Sequence, residues 1–171
     1  MNKVQQYLEE HTPVFTPAVV GFCVRGDEVL LGVRKTSSLG LGIRLLSGLG
    51  GKVGDEPEFA DETHEEALVR ELREEVGIEV KNAICMGNVR FIFPHKPKWT
   101  LDTKIYLIDE WEGEPEETEA IAPEWGSKNA MPWDRMWSDN HIWVPKILMN
   151  EKIQATILHG EAGVEGYWFA D

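Results

Sequence analysis

Three glutamates, Glu71, Glu74 and Glu75, stand at i, i+3 and i+4 in the run Arg70-Glu71-Leu72-Arg73-Glu74-Glu75-Val76-Gly77-Ile78. On a helix, at roughly 100° per residue, those positions share one face. Like charges so placed repel by roughly a few tenths of a kcal/mol per pair. A hard divalent cation reverses the sign of that interaction, and carboxylate oxygens are the ligands Mg²⁺ prefers. Mg²⁺ also keeps waters and binds through few carboxylates plus substrate phosphates, so the implied chemistry is that of a phosphate ester or phosphoanhydride. Arg70, four residues before Glu74, can pair with it and hold that carboxylate in place. A solvated acidic helix face would carry the same charges. What sets this one apart is its package: Gly50-Gly51 ahead of the helix, Glu62 eight residues before Arg70, and a terminal Gly77.

The helix itself is read from Ala67, Leu68, Leu72 and Val76, which form one apolar stripe. Gly77 falls where a helix ends in a left-handed residue. Around it the chain alternates strand-like runs with turns. Residues 1–16 are a polar lead-in with a short helix whose apolar face is Val4, Tyr7 and Leu8. Strands are expected at Ala18–Arg25 and Glu28–Arg34 around a Gly26-Asp27 hairpin turn, and at Leu45–Val53, after a mobile loop at Thr36–Gly42. Two more follow the glutamate helix, near Lys81–Phe93 and Thr100–Trp111, joined by the basic, Pro-rich Pro94–Lys98. After an acidic loop and a brief extended piece at Ala122–Trp125, Asp139 caps a helix running to about Asn150, with Ile142, Trp143, Ile147 and Leu148 inward. Strands Ile153–Leu158 and Val164–Phe169 close the chain. Strands alternating with two helices predict a mixed β-sheet between helices, an α/β/α sandwich.

At 171 residues, 42% hydrophobic and 27% charged, the chain suits one soluble domain. Its net charge of −13 argues against a nucleic-acid polymer as partner, which would need clustered Lys and Arg. A small nucleotide delivered with Mg²⁺ remains compatible, because the metal neutralises phosphate locally. Cys23 and Cys85 lie in apolar runs without metal-site spacing and read as buried free thiols. No run approaches the ~18 apolar residues of a spanning helix, and Met1–Glu10 lacks an apolar leader core, so no membrane is expected and the location is cytoplasmic.

Glu62, Arg70, Glu71, Leu72, Glu74, Glu75, Gly77 and Ile78, with Gly51 ahead of them, resemble the Nudix box, G-x5-E-x7-R-E-U-x-E-E-x-G-U, where U is a bulky aliphatic. One departure is plain: ten residues, Lys52 to Asp61, separate Gly51 from Glu62 where the pattern has five, which reads as an insertion within Gly54–Asp61. The resemblance implies the Nudix α/β/α sandwich over residues 17–171, with 1–16 as an N-terminal extension. It implies Mg²⁺, with Mn²⁺ as a substitute, held by Glu71, Glu74 and Glu75 and by the backbone carbonyl of Gly51. Glu74 or Glu75 serves as general base. Glu119 or Glu117 is a candidate distal ligand, and Lys52 a candidate phosphate contact.

From Val19 to Phe169 the chain also looks like the MutT-homologue branch of that family, through Leu30-Leu31-Gly32, Gly48, Gly50-Gly51-Lys52-Val53, Phe91, Phe93 and Trp133–Asn140. That branch hydrolyses oxidised purine nucleoside triphosphates such as 8-oxo-dGTP to the monophosphate and pyrophosphate. By position, Trp137 stacks on the base and Asp139 and Asn140 read its edge. A flat aromatic followed by a carboxylate and an amide suits a purine on chemical grounds as well. The competing reading makes Trp137 and Trp143 core aromatics and Asp139 a helix cap only. Three departures bear on selectivity: Asn140 stands where the branch has a second Asp, Ser47 where it has an Asn beside the base, and Arg34 where it has a Lys at the pocket's rim. They leave stacking intact and open the site to other purines. Rival readings are a Nudix enzyme acting on ADP-ribose, a sugar nucleotide or a dinucleoside polyphosphate, and a non-catalytic nucleotide sensor. As partner the reading names a small-molecule nucleotide, with the protein a monomer or homodimer.

Overall fold

The computed structural model describes residues 1–36 and 44–171; most of the loop expected at Thr36–Gly42 lies outside them. Helix α1 (Lys3–Glu10) is started by a reciprocal cap in which Asn2 accepts from the Gln5 backbone and the Gln5 side chain accepts in return. Strands β1 (Thr16–Arg25), β2 (Glu28–Arg34), β3 (Leu46–Ser47) and β4 (Leu49–Lys52) lead to helix α2 (His64–Val76). Then come β5 (Glu79–Ile92), β6 (Leu101–Glu112), β7 (Ile121–Ser127), helix α3 (Asn140–Leu148), β8 (Ile153–Gly160) and β9 (Gly163–Phe169). The sheet runs β3-β2-β1-β6-β5-β8-β9, with β4 also paired to β1 and β7 to β2. β1 and β6 are parallel, as are β5 and β8; the other pairs are antiparallel. The sheet is therefore mixed, as expected.

Strand alternation divides the core between the two faces. Val19 and Cys23 of β1 point to a cluster with Leu68, Leu72 and Val76 of α2. Phe22, next to them in sequence, points to the opposite cluster with Trp143, Val144 and Ile147 of α3. Each helix thus covers one face of the sheet. The stripe that marks α2 in the sequence is buried, and the helix begins at a Thr63/Glu66 capping box and ends at Gly77 with φ 74°. On α3 the buried residues are Asn140, Trp143, Val144 and Ile147; Ile142 and Leu148 are only half-buried.

Three expectations are corrected here. The single strand Leu45–Val53 is two, because the chain changes partner at Gly48: β3 pairs with β2 and β4 with β1. A side chain at Gly48 would meet the Phe22 ring and Val20 within 3 Å, so the crossing needs glycine. The extended piece Ala122–Trp125 is a full strand paired with β2 along its whole length. Of the two free thiols Cys23 is buried, which pushes its pKa up to about 12, whereas Cys85 is exposed. Helix α1 buries Val4 against Ile92 and Leu158, so residues 1–16 pack on the sheet. No helix among the described residues is long and apolar enough to cross a membrane.

Candidate active site

The α2 carboxylates do not share one environment. The Glu74 side chain is 52% exposed, that of Glu71 14%, and that of Glu75 5%. Arg70 braces this face. Its guanidinium grips Glu62 through two bonds, Nε to Oε2 at 2.9 Å and Nη2 to Oε1 at 2.7 Å. Nη1 reaches Glu71 at 3.0 Å and Glu74 at 3.3 Å, and Nη2 also donates to the Lys52 carbonyl at 3.2 Å. The inserted loop closes over it: Phe59 lies under the guanidinium at 4.3 Å, and the Gly54 backbone donates to Glu62 at 2.9 Å. Arg70 holds the Glu62 carboxyl below the usual range, despite its burial, with help from the Gly54 N–H. A bidentate arginine fixed this way orients Glu71 and Glu74 rather than reacting itself.

Glu75 is paired from β2, where Arg34 Nη2 donates to its Oε1 at 3.1 Å and reaches the Gly50 carbonyl at 3.4 Å. Arg34 therefore sits deep at the acidic end, not at the rim. The other oxygen, Oε2 of Glu75, is buried without a hydrogen-bond partner. Burial pushes the Glu75 pKa up to about 8, opposed by Arg34 and reinforced by Glu71; burial also raises Glu71, opposed by Arg70. At Gly51 a side chain would meet the Glu71 carboxylate at 2.5 Å, so only glycine lets β4 approach that group.

Among the described residues no three His, Cys, Asp or Glu side chains converge closely enough to hold a metal ion. Arg70 pairs with Glu71 and Glu74, and Arg34 with Glu75. The donor set nevertheless fits a hard divalent cation. An orphaned buried carboxylate oxygen on Glu75, beside Glu71 whose pKa burial also raises, leaves oxygen ligands whose charged form a cation would stabilise. Glu71, Glu74, Glu75 and the Gly51 carbonyl would hold it.

One cavity of about 770 Å³ connects this face to the sequence-expected base residues. At its polar end are Arg34, Gly51, Lys52, Glu71, Glu74 and Glu75. At its other end are Ser47, Phe91, Phe93, Trp137, Asp139 and Asn140. Arg70 is outside the lining, behind the glutamates. Glu119 does not line the cavity and is exposed, and Glu117 pairs with Lys35 at 3.6 Å, so neither acidic-loop residue is brought to the site. Trp137 is half-buried and stands edge-on to Phe93, with centroids 5.7 Å apart. Trp143 is 3% exposed and does belong to the core, yet it also borders the cavity. Asp139 precedes α3 without capping it through its side chain. Its Oδ2 instead accepts from Trp143 Nε1 at 2.7 Å and Asn140 Nδ2 at 3.1 Å.

Sequence reasoning missed Asp55 and Glu56 of the inserted loop, and Phe22 and Thr103 of the sheet, all of which line the cavity. Thr103 is 1% exposed and its hydroxyl has no partner. A polar residue in an otherwise apolar strand register was the available signal for Thr103; nothing local marks Phe22.

The sandwich, with its glutamate helix over one face of a mixed sheet, is the Nudix fold. Residues 14–146 match the NUDIX domain model, and the chain belongs to the Nudix family. Nudix hydrolases act on small-molecule nucleotides and generally use divalent metal ions such as Mg²⁺. The chain is 35% identical over 129 residues to an oxidized purine nucleoside triphosphate hydrolase of Danio rerio, covering 75% of this chain and 77% of that one. It is also 34% identical over 120 residues to the NAD-capped RNA hydrolase NudC of Pseudomonas aeruginosa, with 70% of this chain but only 39% of the relative covered. Its fold is that of a MutT protein from Bacillus halodurans, with a TM-score of 0.69 at 23% identity over 91% of this chain and 97% of the other.

Proposed function

We propose that the protein hydrolyses a purine nucleoside triphosphate, in particular an oxidised one such as 8-oxo-dGTP, to the nucleoside monophosphate and pyrophosphate, and so cleanses the cytoplasmic nucleotide pool. One observation carries the reading: a single cavity is lined both by the α2 carboxylates and by an aromatic with a carboxylate and an amide. The relative with the oxidized-purine name, matched over three quarters of both chains, supports it.

Mg²⁺, or Mn²⁺ in its place, would supply charge neutralisation on the phosphates when bound. Glu71, Glu74, Glu75 and the Gly51 carbonyl would hold it, with Arg70 keeping the first two in position. Arg34 and Lys52 are the cations at the polar end that can meet phosphate oxygens. Trp137 supports the base while Asp139 and Asn140 address its edge; Phe91, Phe93 and Ser47 shape the slot. Water adds to a phosphorus of the α–β anhydride, the bridging P–O bond breaks, and the proton passes to a carboxylate. Glu74, more than half exposed, and Glu75, which also lines the cavity, are the two candidates for that base.

The test is a panel of ordinary and oxidised nucleoside triphosphates with Mg²⁺, read as pyrophosphate release, alongside ADP-ribose, sugar nucleotides and dinucleoside polyphosphates. Faster turnover of the diphosphate-linked compounds would overturn the triphosphate reading. Glu74→Gln is expected to lower kcat by about 10²-fold or more with little change in Tm.

A further inference from the structure

Behind the base end of the cavity lies a group that the proposed chemistry does not use. His159 on β8 is 3% exposed, and its ring stacks on Phe93 with centroids 4.3 Å apart and planes within 5°. Trp137 meets it edge-on at 6.0 Å. Its Nε2 lies 3.2 Å from Asp139 Oδ1, yet off the line of a hydrogen bond, so the nitrogen is buried without an aligned partner. A buried ring nitrogen left in that state is costly, and Asp139 Oδ1 is the acceptor within its reach.

Resting on the purine-binding part of the proposed function, we propose that His159 is a positioning residue that acts through Asp139 to set which purine the cavity accepts. With Nε2 carrying hydrogen, His159 sets an N–H 3.2 Å from Asp139 Oδ1, while Trp143 Nε1 and Asn140 Nδ2 donate to the other oxygen. Both Asp139 oxygens are then acceptors, and Oδ1 keeps a lone pair for the cavity. One N–H of the Asn140 amide is spent on Asp139, which leaves its carbonyl oxygen as an acceptor and its second N–H as a donor. Asp139 therefore offers the edge of a base acceptors only. Guanine and 8-oxoguanine match it with adjacent N1–H and N2–H donors, whereas adenine places an unprotonated N1 against an acceptor.

The experiment measures Kd for dGMP and dAMP by titration calorimetry, which needs neither metal nor turnover. The wild-type protein should bind dGMP at least about tenfold more tightly. His159→Leu should bring the two constants within about threefold, and His159→Gln, whose amide can donate to Asp139, should restore most of the difference. In the wild-type protein, ¹⁵N NMR of the ring, assigned by comparison with His159→Gln, should show Nε2 carrying hydrogen; this needs no leucine variant to fold. Equal affinities in the wild type, an unchanged ratio in a folded His159→Leu, or a bare Nε2 would each overturn the inference. Loss of the triphosphatase reading with the dGMP preference intact would leave it standing.

Discussion

Glu75 shows what one residue's surroundings do to a charge. Its ordinary pKa of 4.5 rises to about 8, first because of burial, with Arg34 pulling the other way. Below about pH 4.5 the group is protonated in both folded and unfolded chains. From there to about pH 8 the folded chain keeps a proton that the unfolded chain has released, so stability falls as pH rises across that window. The metal-free protein should therefore lose Tm between pH 5 and 8, and Glu75→Gln should flatten the decline by a difference of about 1–3 kcal/mol, at roughly 2–4 °C per kcal/mol. Calorimetry in the presence of a chelator measures this, and parallel curves for the two proteins would contradict it. The sequence shows Glu71, Glu74 and Glu75 as one face because periodicity reports angle around the helix and nothing else. It does not report that Glu75 faces the sheet and Arg34 while Glu74 faces solvent. That contrast arises from β2, which is far away along the chain. Asp139 is similar: its position before α3 suggests a cap, but the buried Trp143 N–H claims its side chain first.

Among the elements, β4 and α2 are joined by two glycines with different duties. A side chain at Gly50 would strike the Val19 carbonyl oxygen at 1.9 Å, which is backbone of the adjacent strand and cannot move aside. A side chain at Gly51 meets only the end of Glu71, which can rotate away. Gly50→Ala should thus lower stability by about 2 kcal/mol or more, while Gly51→Ala should keep its Tm and lose about tenfold or more in kcat/KM as Glu71 leaves its place. Denaturant unfolding and an activity assay on the same two variants separate the effects; the reverse assignment of losses would refute the account. Elements with strong local signals were legible in advance. The stripe and Gly77 placed α2, and the Gly26-Asp27 turn placed the β1–β2 hairpin. What was not legible depends on partners distant in sequence. β7 is short, interrupted by Pro123 and Gly126, and owes its strand character to pairing with β2. The division of Leu46–Lys52 into two strands reflects the Phe22 ring beneath Gly48, a contact no window of sequence contains. The inserted loop was visible only as an irregular spacing; its use of Phe59 and Gly54 to brace the Arg70–Glu62 pair follows from folding back over α2.

For the molecule as a whole, charge sets the terms of binding. The chain carries −13, and the polar end of the cavity is lined by Asp55, Glu56, Glu71, Glu74 and Glu75 against Arg34 and Lys52. A triphosphate approaching such a surface is repelled unless a cation accompanies it, because the field of like charges in a cleft is focused rather than dispersed. A non-hydrolysable nucleoside triphosphate should therefore bind at least about tenfold more weakly in chelator than with Mg²⁺. At 100 times its Kd in the presence of Mg²⁺ it should raise stability by about 2.7 kcal/mol, or ~5–11 °C in Tm. Monovalent salt supplies the sharper discrimination. In chelator, raising NaCl should strengthen triphosphate binding by screening the repulsion. A basic site that releases counterions would show the opposite trend. If added NaCl weakens binding under those conditions, the phosphates are meeting a positive surface, and the glutamate end of the cavity is not where they lie.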